Sequence, residues 1–191
     1  LPATLELTIF ALLIAIIIGI PLGVIAGLNP NNFISRFILS ISIFFFSLPT
    51  FWVGLIMIMI FSVSLNIFPS TGRGDVVDFL GYKLSFLTLD GLKHLILPSI
   101  NLALYPLALV IRMTFAGIQE TLPLDFIKFA KSKGLSNFRI ITFHLLKYIL
   151  VPIITVIGLQ FSVLMAFAVI TESIFAWPGM GKLIIDSIYN L

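Results

Sequence analysis

The spacing between charged residues constrains this chain more than any other feature of its sequence. Residues 7–35, between Glu6 and Arg36, are 29 consecutive positions without an acid, lysine or arginine. Residues 37–72, between Arg36 and Arg73, add 36 more. Two further runs cover 94–111, with 18 residues, and 148–171, with 24. A helix crossing a membrane needs about 20 mostly apolar residues, because each adds about 1.5 Å against a hydrocarbon core of ~30 Å. All four runs qualify, and strict alternation, the sign of a β-barrel strand, is absent.

Composition agrees. Only 10% of the 191 residues are charged and 60% are apolar, against about 25% and 45–50% in soluble domains. Eight acids and eleven bases cannot coat a globule of this size. The net charge of +3 is too scattered to argue for nucleic acid. Cysteine is absent, which removes disulfides and thiolate metal sites. The chain begins at Leu1 with no basic segment before a short apolar core, so no signal peptide is visible in it, and it is expected to be a fragment of a longer protein. The expectation is an all-α polytopic membrane protein, residues 1–191 forming one membrane domain. Its spans are expected near 6–28, 38–67, 95–118 and 148–171.

The 36-residue run is too short for two spans and a turn, so one long helix is expected, kinked near Pro49. That choice sets the topology. Arg36, Arg112, Lys128, Lys131, Lys133, Arg139 and Lys147 then share one side, seven of the eleven bases. The positive-inside rule makes that side cytoplasmic. Loop 119–147 is then inside, and loop 68–93 and the segment 172–190 are outside.

Small residues recur four apart at Gly19, Gly23 and Gly27, and again at Gly158, Ser162 and Ala166. Both patterns allow close helix packing, and either could be a surface that slides during gating. Polar residues at depth are few. Asn101, Gln160 and Ser162 are candidates for lining a pathway, with helix-to-helix hydrogen bonding the alternative.

Residues 119–147 differ from the rest. Asp125 is expected to cap a short helix that stops at Gly134, and Ser136 to cap the next. Phe126, Phe129, Ala130 and Lys133 fall on one side of that short helix by their spacing. It could lie on anionic lipid, stay solvated, or dock into a groove on a cytoplasmic partner. The chain has no G-x-x-x-x-G-K-[ST] phosphate loop, so nucleotide hydrolysis would belong to another subunit.

The run Asp125-Phe-Ile-Lys-Phe-Ala-Lys-Ser-Lys-Gly134-Leu-Ser resembles the cytoplasmic EAA loop of ABC importer permeases, in the form used by the dipeptide, oligopeptide and nickel branch. Further stretches resemble that family in the same order. They are Leu1-Pro-Ala-Thr-Leu-Glu-Leu, Leu48-Pro-Thr-Phe-Trp52, Leu92-Lys-His-Leu-Ile-Leu-Pro98 and Glu172-Ser-Ile-Phe-Ala-Trp-Pro-Gly-Met-Gly181. Phe115 departs from the family, which often has a second arginine there.

The resemblance implies a type I ABC importer permease core, with four spans present of six. It implies that Asp125, Phe126, Phe129, Ala130, Lys133, Gly134, Leu135 and Ser136 form the helix that couples to an ATPase. It further implies an inner-membrane location, a homologous second permease, two cytoplasmic ATPase subunits and an external substrate-binding protein. ATP and magnesium would sit on those ATPases, with no cofactor or metal on this chain. A passive channel, a membrane assembly subunit and an intramembrane peptidase are the alternatives. The peptidase is the weakest, because His94 and His144 both lie near span ends and no carboxylate pair lies within a span.

Overall fold

The computed structural model describes residues 1–79 and 81–189. Leu80, in the expected outer loop, and residues 190–191, at the end of the expected outer segment, lie outside the described residues.

Among the described residues three helices are long and apolar enough to cross a membrane, α1 (Pro2–Leu28), α4 (Leu89–Thr121) and the continuous stretch Asn137–Ile174, and the bent pair Phe33–Ser47 with Thr50–Ser64 makes a fourth if it is one broken span. The stretch Asn137–Ile174 is α6 (Asn137–Arg139), a π-helical turn (Ile140–Leu145) and α7 (Leu146–Ile174). Pro21 sits inside α1 and Pro152 inside α7, and neither helix ends there.

Residues 38–67 are not one kinked helix. They fall in α2 (Phe33–Ser47), then α3 (Thr50–Met57) continued by a π-helix (Ile58–Ser64), and the two parts are bent by 103°. Pro49 is the cause. Its extended backbone (φ −62°, ψ 125°) takes the N-cap position of α3, so the chain leaves the helical path instead of bending within it.

Two elements were not legible in the residues. A short antiparallel hairpin pairs β1 (Val77–Phe79) with β2 (Tyr82–Leu84). A final helix, α8, covers Met180–Tyr189. The short helix of the 119–147 segment is α5 (Asp125–Ser132).

The residues group into two compact units. The first comprises 1–14, 47–104 and 160–191. Its centre is Glu6, which is 5% exposed. One carboxylate oxygen accepts from Ser85 N, Ser85 Oγ and Phe86 N, each at 2.8 Å, and the other accepts from the Arg73 guanidinium. This buried, fully used carboxylate pins the outer-loop residues to the first helix. Trp177, fully buried, donates from Nε1 to the Ala3 carbonyl at 2.9 Å.

The second unit comprises 15–46 and 105–159. In it the glycine stripe of α1 lies against α4. A Cβ at Gly19 would come within 2.9 Å of Val110, at Gly23 within 2.5 Å of Thr114, and at Gly27 within 2.8 Å of Ile118. A side chain at any of the three would run into α4, at Gly19 and Gly27 into side chains and at Gly23 into the Ile111 carbonyl as well, so glycine allows the close approach. Gln119 donates to the Gly27 carbonyl, near the end of α1 where a helix carbonyl lacks an internal partner.

Candidate functional site

The 119–147 segment forms its site from two opposed helix faces. α5 begins after Leu124, whose backbone is extended and whose side chain makes no cap. Asp125 is therefore the first helical residue, not the expected cap. Its carboxylate instead accepts from Lys128 Nζ at 2.9 Å, one turn on. Both groups are exposed. This hydrogen bond, then the ammonium charge, holds the Asp125 carboxyl below the ordinary aspartate range.

The inward face of α5 is Ile127, 0% exposed, and Ala130, 4% exposed. They pack with Ile118, Ile140, Leu145, Ile149 and Ile153 in one apolar cluster, with Leu135 partly buried against it. The outward face is Phe126, Phe129 and Lys133, with Phe129 60% exposed and the Lys133 ammonium 4.5 Å from the Phe129 ring centre. The spacing reading put Ala130 with the two phenylalanines. The structure separates them: Ala130 seats the helix on its own chain, Phe126 stays partly exposed with its ring 5.7 Å from that of Tyr148 on α7, and Phe129 is the more exposed of the two. A bulky group at Ala130 would therefore unseat α5 before it altered any partner contact.

Gly134 ends this unit in the left-handed conformation (φ 74°) with nothing within 4 Å of a Cβ position. Its requirement is conformational, the usual reason for glycine after a helix end. Ser136 behaves as expected and accepts from Arg139 N at 3.4 Å. The π-helical turn 140–145 then carries the chain into α7, with Leu145 fully buried in the same apolar cluster.

The candidate pathway residues are not brought together as one polar surface. Asn101 is fully buried and donates to Thr171 Oγ1 at 3.4 Å, leaving its Oδ1 without a hydrogen-bond partner. Gln160 Oε1 is likewise buried without a partner, whereas Ser162 is exposed. Gly158 is not a packing residue within this chain: it is exposed and nothing lies within 4 Å of its Cβ position. Among the described residues nothing packs against α7 at Gly158.

Two features escaped the sequence reading. Glu172 is fully buried and accepts from Gly181 N at 2.7 Å and Lys182 N at 3.1 Å, holding the start of α8. A Cβ on Gly179 would collide with that carboxylate, so the glycine is a close-approach residue and not a phosphate loop. The second is the groove beside Arg112. Among the described residues no group of three or more His, Cys, Asp or Glu could hold a metal ion.

The family model described as "Binding-protein-dependent transport system inner membrane component" matches residues 19–191. The di/tripeptide transport system permease protein DppB of Pseudomonas aeruginosa (strain UCBPP-PA14) is 43% identical, over 98% of this chain and 59% of its own length. The dipeptide transport system permease protein DppB of Escherichia coli (strain K12) is 37% identical, over 97% of this chain and 59% of its own length. The putrescine export system permease protein SapB of Escherichia coli (strain K12) is 35% identical, over 98% of this chain and 63% of its own length. The chain thus spans about six-tenths of the curated relatives it matches. Among solved structures, one of inward facing conformations of the MetNI methionine ABC transporter superposes with a TM-score of 0.70 at 19% identity. That match covers 95% of this chain and 74% of the other. It shows a shared fold.

Proposed function

The chain belongs to the family of binding-protein-dependent transport system inner membrane components, and from that membership we propose that it is a permease subunit of an ATP-driven importer of di- and oligopeptides, with nickel as the other cargo of its branch. The observation that carries the reading is the two-faced helix α5. Ile127 and Ala130 anchor it in the cluster that also holds Ile149 and Ile153 of α7. Phe126, Phe129 and Lys133 remain exposed. A helix built this way is a rigid knob: force on its outer face passes through its inner face into the span.

The mechanism follows from those contacts. Two cytoplasmic ATPase subunits, holding ATP and magnesium, would present grooves to Phe126 and Phe129. Their closure would move α5, and the packed cluster would carry that motion into α7. The spans would then rock between inward-open and outward-open states. The exposed side of α7 at Gly158, Ser162 and Ala166 suits a homologous second permease, since small residues let backbones approach. An external binding protein would deliver cargo to the side bearing residues 68–93, and loop 119–147 would lie in the cytoplasm of an inner-membrane complex.

The test is Phe129→Asp in the assembled importer, reconstituted with its ATPases and binding protein. The expected result is a permease that still inserts, but captures its ATPase subunits at least about tenfold less well and loses peptide uptake, because one buried aromatic anchor is worth about 1–2 kcal/mol or more. Wild-type uptake and normal ATPase capture in that variant would overturn the coupling assignment.

A further inference from the structure

Arg112 is a cation within the apolar helix α4, and among the described residues it has no ion-pair partner. It lies on α4 nine residues before that helix ends at Thr121, roughly 13 Å at about 1.5 Å per residue. It is exposed, and among the described residues no carboxylate pairs with it. The acids on the elements around it are distant along the chain. α2 brings Arg36, a second cation, and the nearest acid on α4 is Glu120, two turns further on.

Arg112 also lies in a groove. Leu39, Ile43 and Phe46 of α2 and Tyr105 and Leu109 of α4 line it, enclosing about 550 Å³. The Arg112 guanidinium stands 5.8 Å from the centre of the Phe46 ring, and Phe46 stacks on Tyr105 at 4.8 Å. The ring face holds the guanidinium by cation–π attraction. That contact leaves the edge of the guanidinium, the part that binds a carboxylate through paired N–H donors, free to face a ligand. An ionisable residue within a span nearly always faces a protein interior or a wet cavity, because lipid does not pay for its desolvation.

We propose that this groove is a subsite of the translocation pathway and that Arg112 binds the C-terminal carboxylate of a passing peptide. The inference rests on the peptide-importer reading above. Every unblocked peptide carries that carboxylate whatever its side chains, and the aromatic and aliphatic walls accept varied apolar side chains without selecting among them. One fixed cation beside a permissive wall is what a carrier of mixed short peptides needs.

The chain has no cysteine, which makes the test direct. Arg112→Cys is placed in the complete importer, with any reactive cysteines elsewhere in the complex removed, in liposomes. Uptake of alanyl-phenylalanine falls about 10- to 100-fold, the loss expected for one charge-assisted contact. Treatment with the cationic trimethylammonium-ethyl methanethiosulfonate restores uptake several-fold, and the anionic sulfonatoethyl reagent does not. Millimolar alanyl-phenylalanine slows labelling at position 112, and its C-terminal amide does not. Unchanged uptake in Arg112→Cys, equal effects of the two reagents, or equal protection by acid and amide overturns the proposal. So does a thiol that resists both water-borne reagents yet reacts with a lipid-soluble maleimide, the outcome for an arginine that serves lipid phosphate. If Arg112→Cys does not assemble, Arg112→Lys and Arg112→Gln decide. Lysine keeps uptake within about tenfold and glutamine does not, and equal loss in both overturns the assignment. An importer with Arg112 intact that carries no dipeptide breaks the cargo reading, and the carboxylate assignment falls with it. Labelling at 112 without cargo still reports whether the groove is wet.

Discussion

Gly19, Gly23 and Gly27 have the same spacing as Gly158, Ser162 and Ala166, and the structure treats the two sets in opposite ways. The first set lies under Val110, Thr114 and Ile118 with no room for a methyl group. The second is exposed, and at Gly158 nothing lies within 4 Å. A four-residue stripe of small side chains states that a backbone can approach, without stating whose. α1 met its partner inside its own chain. The side of α7 at Gly158 meets nothing among the described residues, and in the proposed assembly it faces another subunit.

The largest effect that separates the two stripes is a bulky substitution in each. Gly23→Leu drives a side chain into Thr114 and the Ile111 carbonyl, which a Cβ alone would already approach to 2.8 Å. Overpacking typically costs ~1–3 kcal/mol, and contact with backbone places this variant at the top of that range. Its thermal unfolding midpoint in detergent falls well below that of the unmodified chain. Gly158→Leu leaves the midpoint of the isolated chain unchanged within error and weakens capture of the second permease. Equal midpoints in the two variants would break the comparison.

Charged groups repeat the contrast between covered and uncovered. Glu6 and Arg73 form a nearly buried pair, with side chains 2% and 13% exposed, whereas Asp125 and Lys128 are 97% and 66% exposed. Glu6→Gln keeps the shape and removes the charge that three donors from residues 85 and 86 and the Arg73 guanidinium share. The expected loss is about 2 kcal/mol, the scale of a hydrogen bond to a charged group. The readout is earlier proteolysis within residues 68–93, where the chain is pinned by this carboxylate. Lys128→Ala shows no such loss. A Glu6→Gln chain as resistant as its parent would mean that the buried pair does not hold the outer loop.

The same contrast explains what the residues revealed and what they withheld. Spans follow from charge-free length, because lipid tests each residue singly, and three long helices lie over the runs 7–35, 94–111 and 148–171. The break at Pro49 was legible as a kink. Its size was not, since a proline states that a helix is disturbed while the packing of Val53, Gly54 and Met57 decides where the chain goes next. The coupling segment was legible as a short helix ending at Gly134. Its two faces were not separable, because Phe126, Phe129 and Ala130 share a helical spacing and only the position of Ile127 against Ile149 reveals which side turns inward. Glu172 and Arg112 were seen as span boundaries. Their roles depend on neighbours far away in sequence, Gly181 and Phe46, which a reading of local pattern cannot supply.

The smallest effect concerns Asp125 itself. Its carboxyl titrates below the ordinary aspartate range because Lys128 donates to it and stabilises the ionised form. The sign is that of a depressed acid: the support that the pair gives α5 is present above the ordinary aspartate pKa and fades as the pH drops through the lowered one. An exposed i,i+3 pair contributes little and is screened by salt, so α5 should remain seated by Ile127 and Ala130 throughout. Carbon-detected NMR of the Asp125 carboxyl in detergent gives the midpoint. It moves up in Lys128→Ala and moves up with added salt in the unmodified chain, while the methyl signals of Ile127 and Ile149 stay in place. A midpoint indifferent to Lys128 would remove the pair, and Ile127 signals that follow the titration would show that the outer face of α5, and not its inner one, holds the helix down.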